Sequence, residues 1–264
     1  VALRDFGSTV LCCTPSYGLY LAEALEEAGI APKDLKLRVG FFGAEPWTEG
    51  MRDALEARLN IMALNIYGLS EVIGPGVSVE CPEKQGMHVA EDHFLPEVLD
   101  PVTFEPVPPG VTGELVFTTL TKEALPLLRY RTRDLTTLIT EPCRCGRTLS
   151  RIGRITGRTD DMLIIRGVNV YPSQIEHALL QVPDLEPHYL LVLKRETALD
   201  TLEVRVEARS AVAEAGKDAL AALGAVARRK IYEVIGVTVE VTVVPPKTIE
   251  RSAGKAQRVL DLRK

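Results

Sequence analysis

The run Tyr67-Gly68-Leu69-Ser70-Glu71 puts a ring, a glycine, a hydroxyl and a carboxylate within five positions. Glycine lets backbone approach a ligand closely, the Ser70 hydroxyl can meet a phosphate, and Glu71 can hold a hard cation such as Mg²⁺. The Tyr67 ring can cover a flat base. A strand ending in a polar turn accounts for the same residues, and taken alone the five favour that plainer reading. Cysteine usage raises a second chemistry. Cys143-Arg144-Cys145-Gly146 is a tight pair, and Cys81 with His88 completes a Cys₃His set, a sound tetrahedral donor group for structural zinc. One residue separates the first pair and six the second, outside the common spacings; His93 competes with His88, and free thiols are the alternative. A metal staple suits a long irregular stretch that buries little by itself. Cys12 and Cys13 read as buried strand residues with nothing nearby to activate a thiol.

Elements that must position these groups follow from periodicity. Ser8–Cys13, Leu37–Phe42 and Ile61–Tyr67 read as strands. Between them lie two helices. Thr14-Pro15 opens one, with Leu21, Ala24, Leu25 and Ala28 at helical spacing before Gly29; Thr48 opens the other, with Met51, Leu55 and Leu59 on one stripe. Strands separated by helices imply a parallel sheet, so Thr14–Tyr17, Gly43–Trp47 and Gly68–Glu71 fall at strand carboxyl ends, where open α/β sheets bind ligands. Pro96 to Gly110 reads as irregular, then Gly113–Leu120 and Leu135–Thr140 as strands of an antiparallel subdomain. The pattern changes near residue 160. Strand Met162–Arg166, helix Ser173–Gln181, strands Tyr189–Lys194 and Leu202–Arg209, a long helix from Ala211 to about Val234 and strand Val237–Val244 give a β-α-β-β-α-β order. The expected fold is therefore α/β, a parallel sheet with flanking helices plus an antiparallel subdomain over 1–159, followed by a small α+β domain over 160–264.

Composition narrows the classes. At 264 residues, 46% hydrophobic and 25% charged, the chain has mass for a real core and little in common with disordered sequence. A formal charge of −5 argues against a nucleic-acid partner. No apolar run approaches the roughly 18–20 residues of a membrane span. The first residues lack both a signal-peptide layout and an initiator Met, which reads as a processed or partial chain. An odd cysteine count in a chain of this size points to a reducing, cytoplasmic compartment.

Four segments, Tyr67–Glu71, Tyr130-Arg131-Thr132-Arg133-Asp134, Gly157-Arg158-Thr159-Asp160-Asp161 and Arg251-Ser252-Ala253-Gly254-Lys255, together resemble the signature series of adenylate-forming, AMP-binding acyl-CoA ligases. Closer wording resembles the phenylacetate–CoA ligases: Asn65 to Val72 with Gly74-Pro75-Gly76, Leu120 to Pro126, and Asp161 to Val170. The resemblance implies an aryl acid activated by ATP and Mg²⁺ to an acyl-adenylate, then captured by CoA after the small domain rotates. It implies Lys255 as the mobile catalytic lysine, with Ser70 and Glu71 (the Mg²⁺ ligand) beside it in catalysis. Glu45, Pro46, Tyr67, Gly68, Ser70, Asp134 and Arg158 match nucleotide-binding positions. Ala44, Tyr67, Gly68, Ile73 and Gly74 match the acyl pocket, Asp160 the hinge, and Arg166 with Gly167 the CoA channel. A homodimer is the family expectation.

Each role has a plainer counterpart: a solvated lysine for Lys255, a strand-end carboxylate for Asp134, a surface ion pair for Arg158, a bulge glycine for Gly167. The family's Ser/Thr/Gly-rich phosphate loop is not found in these 264 residues, so the chain reads as the carboxyl-terminal three-fifths or so of such an enzyme. Two alternatives stand beside the ligase: an adenylating enzyme serving a carrier protein, and a non-catalytic nucleotide- or zinc-binding fragment.

Overall fold

A computed structural model describes residues 2–195, 200–251 and 258–263. They form two compact units, one of Val1–Pro46 with Ala54–Asp160 and one of Trp47–Asp53 with Asp161–Lys264.

The chain opens with the short helix α1 (Ala2–Asp5), β1 (Val10–Cys13), α2 (Pro15–Glu27), β2 (Val39–Phe42), α3 (Glu49–Leu59) and β3 (Met62–Leu69). β1, β2 and β3 pair in parallel and in sequence order, as alternating strands and helices require. Thr14 caps α2, its Oγ1 accepting the Tyr17 N–H at 3.3 Å, with Pro15 in the first turn. Gly29 beyond the helix end has φ +65°, a conformation glycine takes without strain. The buried stripe of α2 differs from the expected one. It is Pro15, Gly18, Leu19, Ala22 and Leu25, because a Cβ at position 18 would sit 2.7 Å from the Phe42 ring and only glycine lets the helix approach so closely. On α3 the expected stripe holds: Met51, Leu55 and Leu59 are buried.

The antiparallel half begins earlier than the sequence suggested. β4 (Ile73–Glu80) returns antiparallel to β3 and starts a run of β5 (Met87–Val89), β6 (Phe94–Leu99), β7 (Thr112–Thr119), β8 (Tyr130–Ile139), β9 (Arg151–Ile152) and β10 (Gly157–Arg158). All join one ten-stranded sheet of order β1-β2-β3-β4-β5-β9-β8-β7-β6, with β10 pairing β8. The antiparallel strands thus continue the parallel sheet. Pro96, in a stretch read as irregular, lies within β6; that strand ends the order, and an edge strand tolerates a missing N–H. Tyr67, Val77, Met87, Phe94, Phe117 and Ile152 anchor the core beneath this half.

In the second unit, β11 (Leu163–Ile165) and β12 (Val168–Val170) form a two-stranded ribbon, followed by α4 (Pro172–Leu179), β13 (Leu185–Arg195), β14 (Asp200–Ala208), α5 (Ser210–Glu214), α6 (Lys217–Ile235), β15 (Glu240–Val244) and β16 (Val259–Asp261). The expected β-α-β-β-α-β order is corrected at three points. The first strand leaves for the ribbon; β16 is an additional strand of the sheet β15-β14-β13-β16; and the long helix breaks at Gly216, whose φ is +98°. β14 is buried at Leu202, Val204 and Val206, and Ile175, Ala227 and Ile231 from the helices share its core. Among the described residues no helix is long and apolar enough to cross a membrane.

Candidate active site

A bulge builds the centre of the site. β7 pairs Glu114 with Leu135 and Val116 with Arg131, so Thr132, Arg133 and Asp134 stand opposite Leu115 alone. Arg133 takes φ +68° to absorb the extra length. Thr132 and Asp134 are both turned into the protein while Arg133 stays exposed. The Thr132 hydroxyl donates to the Leu115 carbonyl at 2.9 Å and accepts the Asp134 N–H at 3.1 Å, fixing the carboxylate's base.

Three elements then converge on Asp134. From β3, the Tyr67 hydroxyl donates to Oδ2 at 2.5 Å. From β10, which sets Arg158 directly across from Asp134, Nη1 donates to Oδ1 at 3.1 Å. The rest of that guanidinium is committed to Asp160, with Nε and Nη2 at 2.8 and 2.9 Å from its oxygens. Burial pushes the Asp134 carboxyl above its ordinary range, and the Tyr67 and Arg158 hydrogen bonds only partly offset it. Arg158 draws Asp160 the other way, below the carboxylate range. Burial, and then Asp134 itself, raise the Tyr67 phenol.

Ser70, Glu71 and Val72 form the turn from β3 to β4. Two groups brace it. The Tyr130 hydroxyl donates to Glu71 Oε1 at 2.6 Å, and Lys122 Nζ donates to the Glu71 and Val72 carbonyls at 2.5 and 2.9 Å. Asp134 and Arg158 lie close enough to act on the Tyr130 phenol, so turn and carboxylate belong to one neighbourhood. Ser70 is exposed at the tip. Sequence reading missed Lys122 and Tyr130 as bracing groups although both lie in quoted motifs, since a motif does not say where its side chains reach.

Gly68 lies inside β3, not in a loop, at a register shift; a Cβ there would come within 2.9 Å of the Ile73 carbonyl and 3.0 Å of the Gly76 nitrogen. Ile73 and Gly74 are exposed at the start of β4. Ala44, at φ +68°, and Pro46 are exposed on the loop after β2, where Gly43 is needed because a Cβ would meet the Ile66 carbonyl at 2.0 Å. Glu45, on the same loop, accepts the Ser16 N–H at 2.6 Å in the first turn of α2, where a helix favours negative charge.

Among the remaining expected positions, Arg166 and Gly167 are the centre of the β11–β12 hairpin, with φ of +51° and +81°; that is the need for a glycine, and it replaces the bulge reading. Lys255 lies outside the described residues. The segment before it is fastened by a residue the sequence did not point to. Glu207 on β14, wholly buried, accepts the N–H groups of Lys247 and Ile249 at 2.9 and 2.8 Å and both Arg251 Nη groups at 2.8 and 2.9 Å. Despite burial, Arg251 and the two N–H groups hold its carboxyl below the usual range.

The cysteines fall into two groups. Cys81, His88, Cys143 and Cys145 meet in one cluster, whereas His93 is exposed and pairs with Thr121 at 2.7 Å. Cys12 is exposed and Cys13 half-buried on the edge strand β1, contrary to expectation; burial nonetheless pushes the Cys13 thiol up to about 12.

The two halves of the chain match two models of one enzyme family. Residues 1–120 match the AMP-binding enzyme family and residues 167–263 the AMP-binding enzyme C-terminal domain. The chain belongs to the adenylate-forming superfamily. Within it the likeness is to the phenylacetate-coenzyme A ligases: 53% identity to that of Thermus thermophilus over 99% of this chain and 62% of the relative, and 49% to that of Escherichia coli over 99% and 60%. The chain therefore spans about three fifths of the length of these relatives. A crystal structure of 2-hydroxyisobutyryl-CoA ligase in the postadenylation state superposes with a TM-score of 0.92 at 33% identity, covering 98% of this chain and 56% of that one.

Proposed function

We propose that the protein carrying this chain is an AMP-forming aryl-acid–CoA ligase that takes phenylacetate, ATP and CoA to phenylacetyl-CoA, AMP and pyrophosphate. The observation that carries the reading is the meeting of Tyr67, Asp134 and Arg158, three motif positions far apart in sequence, in a chain about half identical to named phenylacetate–CoA ligases.

Asp134 is the acceptor for the ribose hydroxyls. A carboxylate suits a vicinal diol, and this one is held by a neutral phenol and by one nitrogen of a shared guanidinium, donors that can rearrange when a diol arrives. Arg158 adds positive charge beside the nucleotide. The exposed Ser70 hydroxyl and the Glu71 carboxylate serve the phosphate end. Glu71 fits a Mg²⁺ site because one carboxylate with substrate phosphates is the donor set this ion takes; bound there, Mg²⁺ neutralises phosphate charge. Tyr130 and Lys122 hold that carboxylate and its turn in place. Ala44, Glu45, Pro46, Gly68, Ile73 and Gly74 border the nucleotide and the acid. Attack of the acid's carboxylate oxygen on the α-phosphorus displaces pyrophosphate. Lys255 stabilises the charge developing on the phosphoryl oxygens, and Glu207 positions it by fixing the segment up to Arg251. Asp160 is the hinge of the small domain, and Arg166 and Gly167 border the pantetheine once it turns. The same reading places the protein in the cytoplasm and allows a homodimer.

The test is pyrophosphate–ATP exchange by the complete protein with a panel of acids. Exchange dependent on phenylacetate is the expected outcome; no exchange with any aryl acid removes the assignment. A fatty acid–[acyl-carrier-protein] ligase from Streptomyces coeruleorubidus, 28% identical over 67% of this chain, keeps carrier-protein transfer as the second reading. Thioester formation on free CoA distinguishes them.

A further inference from the structure

A second site lies away from the nucleotide residues. Cys81 follows β4 directly, His88 is on β5, and Cys143 and Cys145 lie in the connection between β8 and β9. Cys81 and β5 are at the opposite end of β4 from the Ser70–Val72 turn. Their four ligating atoms fall within 4.8 Å of one another, with Cys81, His88 and Cys143 buried and Cys145 partly so.

The spacing is that of a metal's coordination sphere. Around tetrahedral zinc, with Zn–S about 2.3 Å and Zn–N about 2.05 Å, neighbouring sulfurs lie about 3.8 Å apart and a sulfur and a nitrogen about 3.6 Å. Cys81 Sγ and Cys143 Sγ are 3.7 Å apart, and Cys145 Sγ is 3.5 Å from His88 Nε2. Two edges of the tetrahedron are therefore already at length. Each cysteine sits on a tight turn: the Lys84 N–H bonds to the Cys81 carbonyl at 2.9 Å and the Gly146 N–H to the Cys143 carbonyl at 3.0 Å, with Gly146 at φ +85°. The turn explains how a one-residue spacing serves where two to four is usual, since the pair is completed across the sheet and not within one knuckle.

Charge agrees. Three thiolates and a neutral imidazole leave a zinc centre one unit negative, and Arg147 Nη1 lies 3.4 Å from Cys145 Sγ to offset it. Arg151 ties the same two segments through the Gln85 and Glu141 carbonyls at 2.5 and 2.7 Å, so the cluster lies at a join that a second group also bridges.

We propose that Cys81, His88, Cys143 and Cys145 bind one structural zinc ion that staples the β4–β5 turn to the β8–β9 connection. Four protein donors leave no open position, which excludes a reacting water and marks the ion as structural. Soft thiolates select zinc over the Mg²⁺ of the phosphate site. Binding releases thiol protons and draws on no redox chemistry.

Elemental analysis of the full-length protein, purified without chelator from zinc-supplemented culture, tests this. About one zinc per chain is expected, and Cys145→Ser and His88→Ala should each lower it at least about tenfold, while Cys12→Ser leaves it unchanged. Should the variants fail to fold, wild-type protein expressed with cobalt should show the ligand-field and sulfur-to-cobalt absorption of a tetrahedral thiolate site. Folded wild-type protein with only trace zinc and no such cobalt spectrum, or a Cys81–Cys143 disulfide in the native chain, overturns the proposal.

Discussion

Two buried carboxylates, one in each unit, end up on opposite sides of the ordinary range. Glu207 receives four N–H donors, two of them from a guanidinium, and its carboxyl is drawn down. Asp134 receives a phenol and a single guanidinium nitrogen whose neighbours serve Asp160, and its carboxyl goes up. Burial is common to both; the number and charge of the donors decide the sign. Glu207 is finished as a structural anchor. Asp134 has fewer and less charged donors, too few to offset its burial.

Variants can break or sharpen that contrast. For the reaction itself, Lys255→Ala should slow adenylation by about 10²–10³-fold, the scale of one lost transition-state donor, while thioester formation from supplied adenylate persists. Equal losses in both steps refute the lysine's role. Glu207→Ala should cost the second unit about 3–5 kcal/mol of stability, as breaking a buried ion pair does, read by denaturant unfolding. A cost below 1 kcal/mol in that measurement would break the comparison from the structural side. Asp134→Ala should behave the other way, raising KM for ATP by about 10–100-fold, the worth of charged hydrogen bonds, with little loss of stability. Tyr67→Phe is the smallest, about 1 kcal/mol in nucleotide binding, because Arg158 still holds the carboxylate.

Acid should separate the two units further. Glu207 is depressed, so its contribution to stability is present above the ordinary glutamate range and is lost as pH falls below it. Asp134 is raised, so its contribution is fully present below the ordinary aspartate range and is lost as pH rises through its elevated value. Asp134→Asn should therefore remove a stability loss between acid and neutral pH, and Glu207→Gln an acid lability. Unfolding curves at several pH values check both signs.

Local signals reached a good part of this molecule. Thr14-Pro15 and Thr48 capped helices where expected, and the Met51, Leu55, Leu59 stripe is buried, because capping and helical period act within a few residues. Short strands were harder. β4 carries Gly74-Pro75-Gly76, which the sequence offered only as a motif, and β6 carries Pro96, in a stretch read as irregular until its edge position makes the proline acceptable. The bulge at Thr132–Asp134 has no signature in the sequence; it arises only when β7 supplies one residue against three. Glu207 likewise looks like an alternating strand residue until Arg251 arrives beneath it.

Residue types and their order were enough to set the class of chemistry: a carboxylate, a guanidinium, a hydroxyl turn and a Cys₃His set are written in the chain. Which of them meet was decided in three dimensions. Asp134 and Arg158 lie 24 positions apart and Tyr67 67 positions from Asp134; hydrogen-bond geometry is a matter of ångströms, and strand register, not sequence distance, brings such groups within it. The choice of His88 over His93 has the same origin, since only the pairing of β5 with β4 and β9 carries one imidazole to the thiols and leaves the other at the surface.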